Sequence, residues 1–365
     1  MGRSMTGPSM TTAGITRRTL LVAGTASASL GLAGCASGAG GSEPGKSSTT
    51  SAEAGTQQHA QPLSIAQTDM QKQATLDSCT RLDGHPMFHL TWEGAPATTS
   101  APDGANAAAL PTGYACTLFA AADADGAPLV ARNFDWDPAP ASVVESKLNN
   151  GRSTLAVTDL RYVGIESESD LDNRQKTQDL PRCEAYAFDG INDSGVFIGL
   201  AADASARAEV VDGREWLGGL GVQRMILDHA DTVKDAIEVF DTYNIDFAGG
   251  PGLHYLLADR SGAKAVVEFD AGKLAVIRPP SGQPWMCLEN FHMSSFAEED
   301  RITHSRYSTC AKTLDSSRGK VSVDDAVNLL NDVRQPHTQW QSVYGLSAGT
   351  LRVVGKKPHD YRLSA

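Results

Sequence analysis

Cys116, Arg132 and Asp135 are the residues whose types and spacing point first to chemistry. Cys116 to Ala122 reads as a strand, Asp123-Ala124-Asp125-Gly126-Ala127 as a turn, and Pro128 to Phe134 as the returning strand. A turn near Asp125 sets Cys116 opposite Phe134 and Leu118 opposite Arg132, so these four share one face and Arg132 is diagonal to Cys116. A guanidinium there favours thiolate over thiol. Asp135, just past the strand end, is placed to hold an ammonium group, and the nearest would be the α-amine of Cys116 once the 115–116 bond is broken. That amine ordinarily has a pKa of about 7.7 to 8.0, which suits a general base near neutrality. One residue would then supply both nucleophile and base. The residues alone also accommodate a buried, inert cysteine beside a structural Arg-Asp pair. The Asp-rich turn lacks the twelve-residue ligand pattern of a calcium loop and reads as a plain hairpin turn.

The elements that would hold this hairpin are mostly strands. Alternation predicts strands at 87–92, 153–158, 196–200, 254–259, 263–269, 274–278, 342–346 and 350–354, with a hairpin turn at Ser261-Gly262. Helices are predicted around Gly219 to His229, from a cap at Asp231 through Phe240, and from Ser322, where Asp325 completes a capping-box pattern. Gly94 to Pro111 reads as a loop. Many antiparallel strands with few helices indicate an α+β layered domain.

Of the 365 residues, 41% are hydrophobic and 20% charged, enough for one large core. A formal net charge of −12 argues against nucleic-acid binding, which needs a clustered basic face. Residues 1–35 read as a twin-arginine lipoprotein signal, with Arg17-Arg18 before a weakly apolar run and a lipobox ending in Cys35 as the lipidation site. The expected location is therefore the outer face of the cell membrane, through that anchor and without a spanning helix. Residues 36–75 read as a flexible tether, 76–115 as an upstream arm or propeptide, and 116–365 as the catalytic domain. Cys79, Cys183, Cys287 and Cys310 are left to pair in three possible ways, and none has zinc-like CxxC spacing.

From Cys116-Thr117 through Asp189-Gly190-Ile191-Asn192-Asp193-Ser194-Gly195, Leu253 to Asp259, Leu288-Glu289-Asn290-Phe291 and Ser305-Arg306-Tyr307 to Thr338-Gln339-Trp340, the chain resembles the choloylglycine hydrolase family of N-terminal nucleophile hydrolases. It is also similar to the related penicillin V acylase-like and acid ceramidase-like groups of linear amide C–N hydrolases. The resemblance implies a four-layer αββα sandwich of two antiparallel sheets, with Cys116 as nucleophile and Arg132 and Asp135 as its electrostatic partners. It further implies that Asn290 is an oxyanion donor and Arg306 a second active-site arginine. It implies no metal and no organic cofactor, and its partner would be a small N-acyl amide. Where bile salt hydrolases carry an asparagine of the oxyanion pocket, this chain has Ala201 after Gly199-Leu200, which leaves only a backbone N–H for substrate and weighs against bile salts. Phe134 and Trp136, with Phe291, sit beside catalytic positions as candidate lining of an acyl pocket. The expected reaction is amide hydrolysis through an acyl-enzyme. Acyl transfer to a second amine by the same residues is the first alternative, and a non-catalytic ligand-binding lipoprotein the second.

Overall fold

The computed structural model describes residues 63–82, 85–99, 115–247 and 250–363. The expected signal, with Cys35, and the first part of the expected tether lie outside the described residues. In chain order the elements begin with β1 (Ser64–Ala66), α1 (Asp69–Ser78), β2 (Thr80–Leu82), β3 (Met87–Thr98), β4 (Thr117–Ala122), β5 (Pro128–Asp135), β6 (Ala141–Leu148) and β7 (Ser153–Asp159). The middle of the chain supplies α2 (Arg174–Thr177), β8 (Asp189–Asn192), β9 (Phe197–Ala202), β10 (Trp216–Gly218), α3 (Gly221–His229), α4 (Val233–Thr242) and β11 (Asn244–Asp246). It closes with β12 (Leu253–Ala258), β13 (Lys264–Asp270), β14 (Lys273–Ile277), β15 (Met286–Leu288), α5 (Ser305–Ser316), α6 (Val323–Asp332), β16 (Thr338–Gly345), β17 (Thr350–Val354) and β18 (Pro358–Arg362).

Two sheets carry the domain. One has the order β1-β3-β6-β7-β8-β9-β12-β13-β14 with β2 paired to β3, and the other runs β15-β4-β5-β16-β17-β18. Side-chain alternation fixes the layers. In β8, Asp189 meets Arg132 of the smaller sheet, while a Cβ on the next residue, Gly190, would strike Leu227 of α3. In β5, Arg132 points inward, while Asn133 donates from Nδ2 to the carbonyl of Leu330 on α6. The sheets therefore face each other, with α3 outside one and α6 outside the other. This is the αββα sandwich expected. Two strand pairings among the described residues depart from antiparallel: β3 runs parallel to β6 within the larger sheet, and β10 runs parallel to β11 in a separate two-stranded ribbon.

The predicted hairpin is present in its predicted register, Leu118 opposite Arg132, and Asp123 Oδ1 caps its turn by accepting from the N–H groups of Asp125 and Ala127. The helix after Ser322 has the predicted capping box with Asp325. The helix after Asp231 is capped instead by Thr232, because Asp231 is drawn to Ser194 and Arg152. The tether reading of 36–75 is corrected at its end: Ser64–Ala66 form β1, and Thr68 and Gln71 form a capping box that starts α1. Residues 94–98, expected as loop, continue β3 instead. Their small side chains carry no alternation signal, but Gly94 pairs with Leu148 of β6, and Ala95 and Thr98 pair with Ala66 and Ser64 of β1. Trp92 is fully buried and donates from Nε1 to Pro181 O at 3.0 Å, and the Ala97 N–H donates to Asp228 Oδ2 at 2.7 Å. The arm is thus an interior strand of the larger sheet. Among the described residues no helix is long and apolar enough to cross a membrane.

Candidate active site

Four strand ends meet at one edge of the smaller sheet. Cys116 immediately precedes β4, Asp135 ends β5, and Thr338, which begins β16, is paired with Asp135. β15 pairs Leu288 with Leu118, and continuing that register brings Asn290 level with Cys116. The Ala115 N–H donates to Asp135 O at 3.0 Å, which lays the 115–116 peptide alongside Asp135. Arg306 comes from the first turn of α5.

Arg132 is fully buried and divided between the Asp189 carboxylate and the Cys116 sulfur. Nη1 donates to Asp189 Oδ2 at 2.8 Å and to the Phe188 carbonyl, while Nη2 lies 3.5 Å from Cys116 Sγ. Asp189 is held by Ser342 Oγ at 3.1 Å, by the Tyr344 hydroxyl and by Trp340 Nε1 at 3.4 Å, so the far end of the guanidinium cannot drift. Burial nevertheless pushes the Cys116 thiol above its ordinary pKa, against the pull of Arg132. In the continuous chain the sulfur is protonated and fully enclosed.

Asp135 Oδ1 accepts from the Thr338 hydroxyl. Oδ2 is buried and has no hydrogen-bond donor among the described residues, although Arg306 Nη1 stands 3.8 Å away. Burial pushes the carboxyl up to about 6, with Thr338 and Arg306 pulling the other way. Arg306 ties the edge together. Nη1 donates to Cys116 O at 2.6 Å and to Thr117 Oγ1 at 2.9 Å, and Nη2 reaches Asn290 Oδ1 at 3.2 Å and Glu289 Oε1 at 2.9 Å. Asn290 Nδ2 donates to Ala202 O at 2.9 Å, which leaves its second amide hydrogen available.

The structure therefore brings Cys116, Arg132, Asp135, Asn290 and Arg306 to one place. It sets Phe134, Trp136 and Ala201 differently from the sequence reading. Phe134 is fully buried, stacked on Trp340 at 4.1 Å with the Arg132 guanidinium 5.0 Å from its centroid, and Trp136 stands edge-on to it at 5.9 Å beneath Arg161. Both rings belong to an aromatic core that backs Arg132. Ala201 lies inside β9. The Leu200 N–H donates to Phe188 O, so alternation turns the Ala201 N–H to the other side, toward His254 on β12 and away from Cys116. The β9 residue that reaches the site is Ala202, through its carbonyl.

Asp189, Thr338 and Glu289 belong to the site and were not singled out. A buried arginine demands a counter-charge, which signals that such a carboxylate exists without saying which. Cys79, Cys183, Cys287 and Cys310 are free thiols here, with Cys79 packed against the same apolar cluster as Cys183.

Solved structures to which this chain is similar include a mutant conjugated bile acid hydrolase from Clostridium perfringens (15% identity, TM-score 0.49, 68% of this chain and 92% of that one). Penicillin V acylase from Agrobacterium tumefaciens is similar at 15% identity and TM-score 0.48, over 67% of this chain and 84% of that one. A Caenorhabditis elegans ortholog of N-acylethanolamine-hydrolyzing acid amidase matches at 16% identity and TM-score 0.44, over 64% and 93%. No curated protein matches the chain. A family model does: residues 122–365, which hold Arg132, Asp135, Asn290 and Arg306 and begin just after Cys116, match that of acyl-coenzyme A:6-aminopenicillanic acid acyl-transferase, and the chain belongs to that family.

Proposed function

We propose that the protein is a cysteine amidase that cleaves a linear N-acyl amide, with Cys116 as an N-terminal nucleophile released by autoproteolysis of the 115–116 bond. The observation that carries this reading is the paired environment of Cys116: a guanidinium pinned by Asp189 and aimed at Sγ, beside a buried carboxylate oxygen that lacks a donor. The amine freed by cleavage is the donor that Asp135 Oδ2 lacks, and it is the base that deprotonates Sγ. Sulfur attacks the amide carbonyl, the second amide hydrogen of Asn290 stabilises the oxyanion, and the proton taken from sulfur leaves with the amine. Water then attacks the thioester and restores the thiol. Arg306, already on the Cys116 carbonyl, fixes the backbone that carries both reacting groups.

Transfer of the acyl group to an amine in place of water is a second reading, and the family's description as an acyl-transferase favours weighing it. Export and lipid attachment at Cys35 belong to the same proposal and rest on the signal pattern alone; globomycin-sensitive processing with loss of residues 1–34 is their test.

Intact-mass and N-terminal analysis of wild type and Cys116→Ala tests the mechanism. The wild type should yield a chain beginning at Cys116 with the arm still bound, because β3 is an interior strand. The variant should remain continuous. An active wild type with an unbroken 115–116 bond sinks the mechanism. Penicillin V, glycine-conjugated bile salts, acyl homoserine lactones and fatty acyl amides then define the substrate, and adding 6-aminopenicillanic acid as acceptor separates transfer from hydrolysis.

A further inference from the structure

Behind Asn290, at the same end of the sandwich, is a second group of ionisable side chains that the amidase chemistry does not use. Asp203 follows β9, His254 lies in β12, Glu268 lies in β13 and His292 follows β15. Register places the first three on one face. Ala201 is paired with His254, continuing the β12–β13 ladder pairs His254 with Glu268, and Asp203 is two residues beyond Ala201. That face is the inward one, because Gly199, again two residues back, meets Leu118 of the smaller sheet.

The ligand atoms of Asp203, Glu268 and His292 lie within 4.8 Å of one another, and among the described residues this is the one such group of His, Cys, Asp and Glu. His292 Nδ1 is 2.6 Å from Asp203 Oδ2 and 3.2 Å from Glu268 Oε2. The side chain of Asp203 is 2% exposed and that of Glu268 fully buried, and one Nδ1 hydrogen stands between Asp203 Oδ2 and Glu268 Oε2, the latter also accepting from the Met293 N–H at 2.9 Å. An independent observation points to a missing ligand. His254 is fully buried, neither of its ring nitrogens has a hydrogen-bond partner among the described residues, and its Nδ1 is aimed at Glu268 Oε2 from 3.6 Å.

We propose that Asp203, Glu268, His292 and His254 form a structural binding site for one divalent transition-metal ion, with zinc the best match. Two imidazoles and two carboxylates are a zinc donor set, and tetrahedral ligands about 2.0–2.2 Å from the metal stand about 3.3–3.6 Å apart. The 3.2 Å separation of His292 and Glu268 already fits, the 2.6 Å pair opens when the metal takes the place of the Nδ1 hydrogen, which leaves as a proton, and His254, outside the 4.8 Å group, closes in from its 3.6 Å approach to Glu268. The partly exposed edge of His292, 10% accessible beside the exposed Asp270, is the way in. The Ser205 hydroxyl on Asp203 Oδ1 at 2.6 Å and the Ser294 N–H on Glu268 Oε1 at 2.9 Å orient the carboxylates, as outer-shell partners do at metal sites. The bound ion would join the end of β9 to the segment after β15. These are the two stretches that the Asn290–Ala202 hydrogen bond spans, so the ion would fix the orientation of that amide.

The site is independent of the catalytic reading, and the test is built to keep them apart. Full-length Cys116→Ala protein, which lacks the catalytic thiol, is stripped with chelator, dialysed against zinc chloride and assayed for bound metal. The expected uptake is about one zinc per chain, falling at least tenfold in Cys116→Ala/His292→Ala and in Cys116→Ala/Asp203→Asn. Cobalt(II) added to Cys116→Ala alone gives a second measurement that needs no altered ligand: visible d–d bands of tetrahedral nitrogen and oxygen coordination, without a sulfur-to-cobalt charge-transfer band. Zinc uptake in the wild type that disappears in Cys116→Ala, uptake unchanged by His292→Ala, or a sulfur charge-transfer band would overturn the proposal.

Discussion

Asp135 gives the sharpest quantitative consequence of the site. In the continuous chain its side chain is fully buried, Oδ2 lacks a donor, and its carboxyl is pushed up to about 6 by burial. An unfolded aspartate titrates at about 3.9, so across roughly pH 4 to 6 the folded chain holds a proton that the unfolded chain has lost. Folding stability contributed by this group is therefore present at low pH and is lost as pH rises through about 6. Two pKa units correspond to about 3 kcal/mol. The assay is urea unfolding, followed by tryptophan fluorescence, of Cys116→Ala and Cys116→Ala/Asp135→Asn between pH 4 and 7.5. Asparagine keeps the oxygen that accepts from Thr338 and removes the titration. Its amide faces Arg306, a pH-independent cost that moves the whole curve without changing its slope. Asp159, raised to about 6, and Glu184, raised to about 7, titrate with the same sign in both proteins, so the difference between the two curves isolates Asp135. The double variant should gain on the single one by about 2–3 kcal/mol between pH 4 and 7. Parallel curves would refute the claim that Asp135 waits, buried and unsatisfied, for an amine.

Arg132→Met should destabilise the continuous chain by about 3–5 kcal/mol, because Asp189 is left buried without its cation, and should abolish turnover; urea unfolding within about 1 kcal/mol of the parent would contradict the bridging role. Asn290→Ala should lower kcat by about 10²–10³ with little change in KM, as expected for a donor used only in the transition state, and a rise in KM alone would make it a ground-state contact.

The aromatic and β15 neighbourhoods show where sequence reading stopped. Phe134 and Trp136 flank Asp135 along the chain, and that adjacency was the only guide to a pocket; their rings are in fact packed among Trp340, Phe188 and Tyr162, residues distant in sequence. α5 was missed although Tyr307, Cys310, Ala311 and Leu314 repeat at helical spacing and form its buried stripe, because Ser, Thr and Lys dilute the stretch. β15 is three residues long, too short for any period to show.

The sequence by itself determined the hairpin of β4 and β5, because a two-residue period on either side of an Asp-rich turn fixes the register and hence the diagonal approach of Arg132 to Cys116. It also determined the layered α+β class and the capped start of α6. Tertiary structure alone decided which carboxylate pins Arg132, since Asp189 comes from the opposing sheet. It decided that Asn290 and Arg306 close on the same peptide through β15 and α5, and that the arm is an interior strand. It decided too that Asp203, His254, Glu268 and His292 converge. Local periodicity is set by neighbours along the chain, whereas each of these meetings depends on how two sheets stack and which strands lie side by side. No local pattern encodes that arrangement.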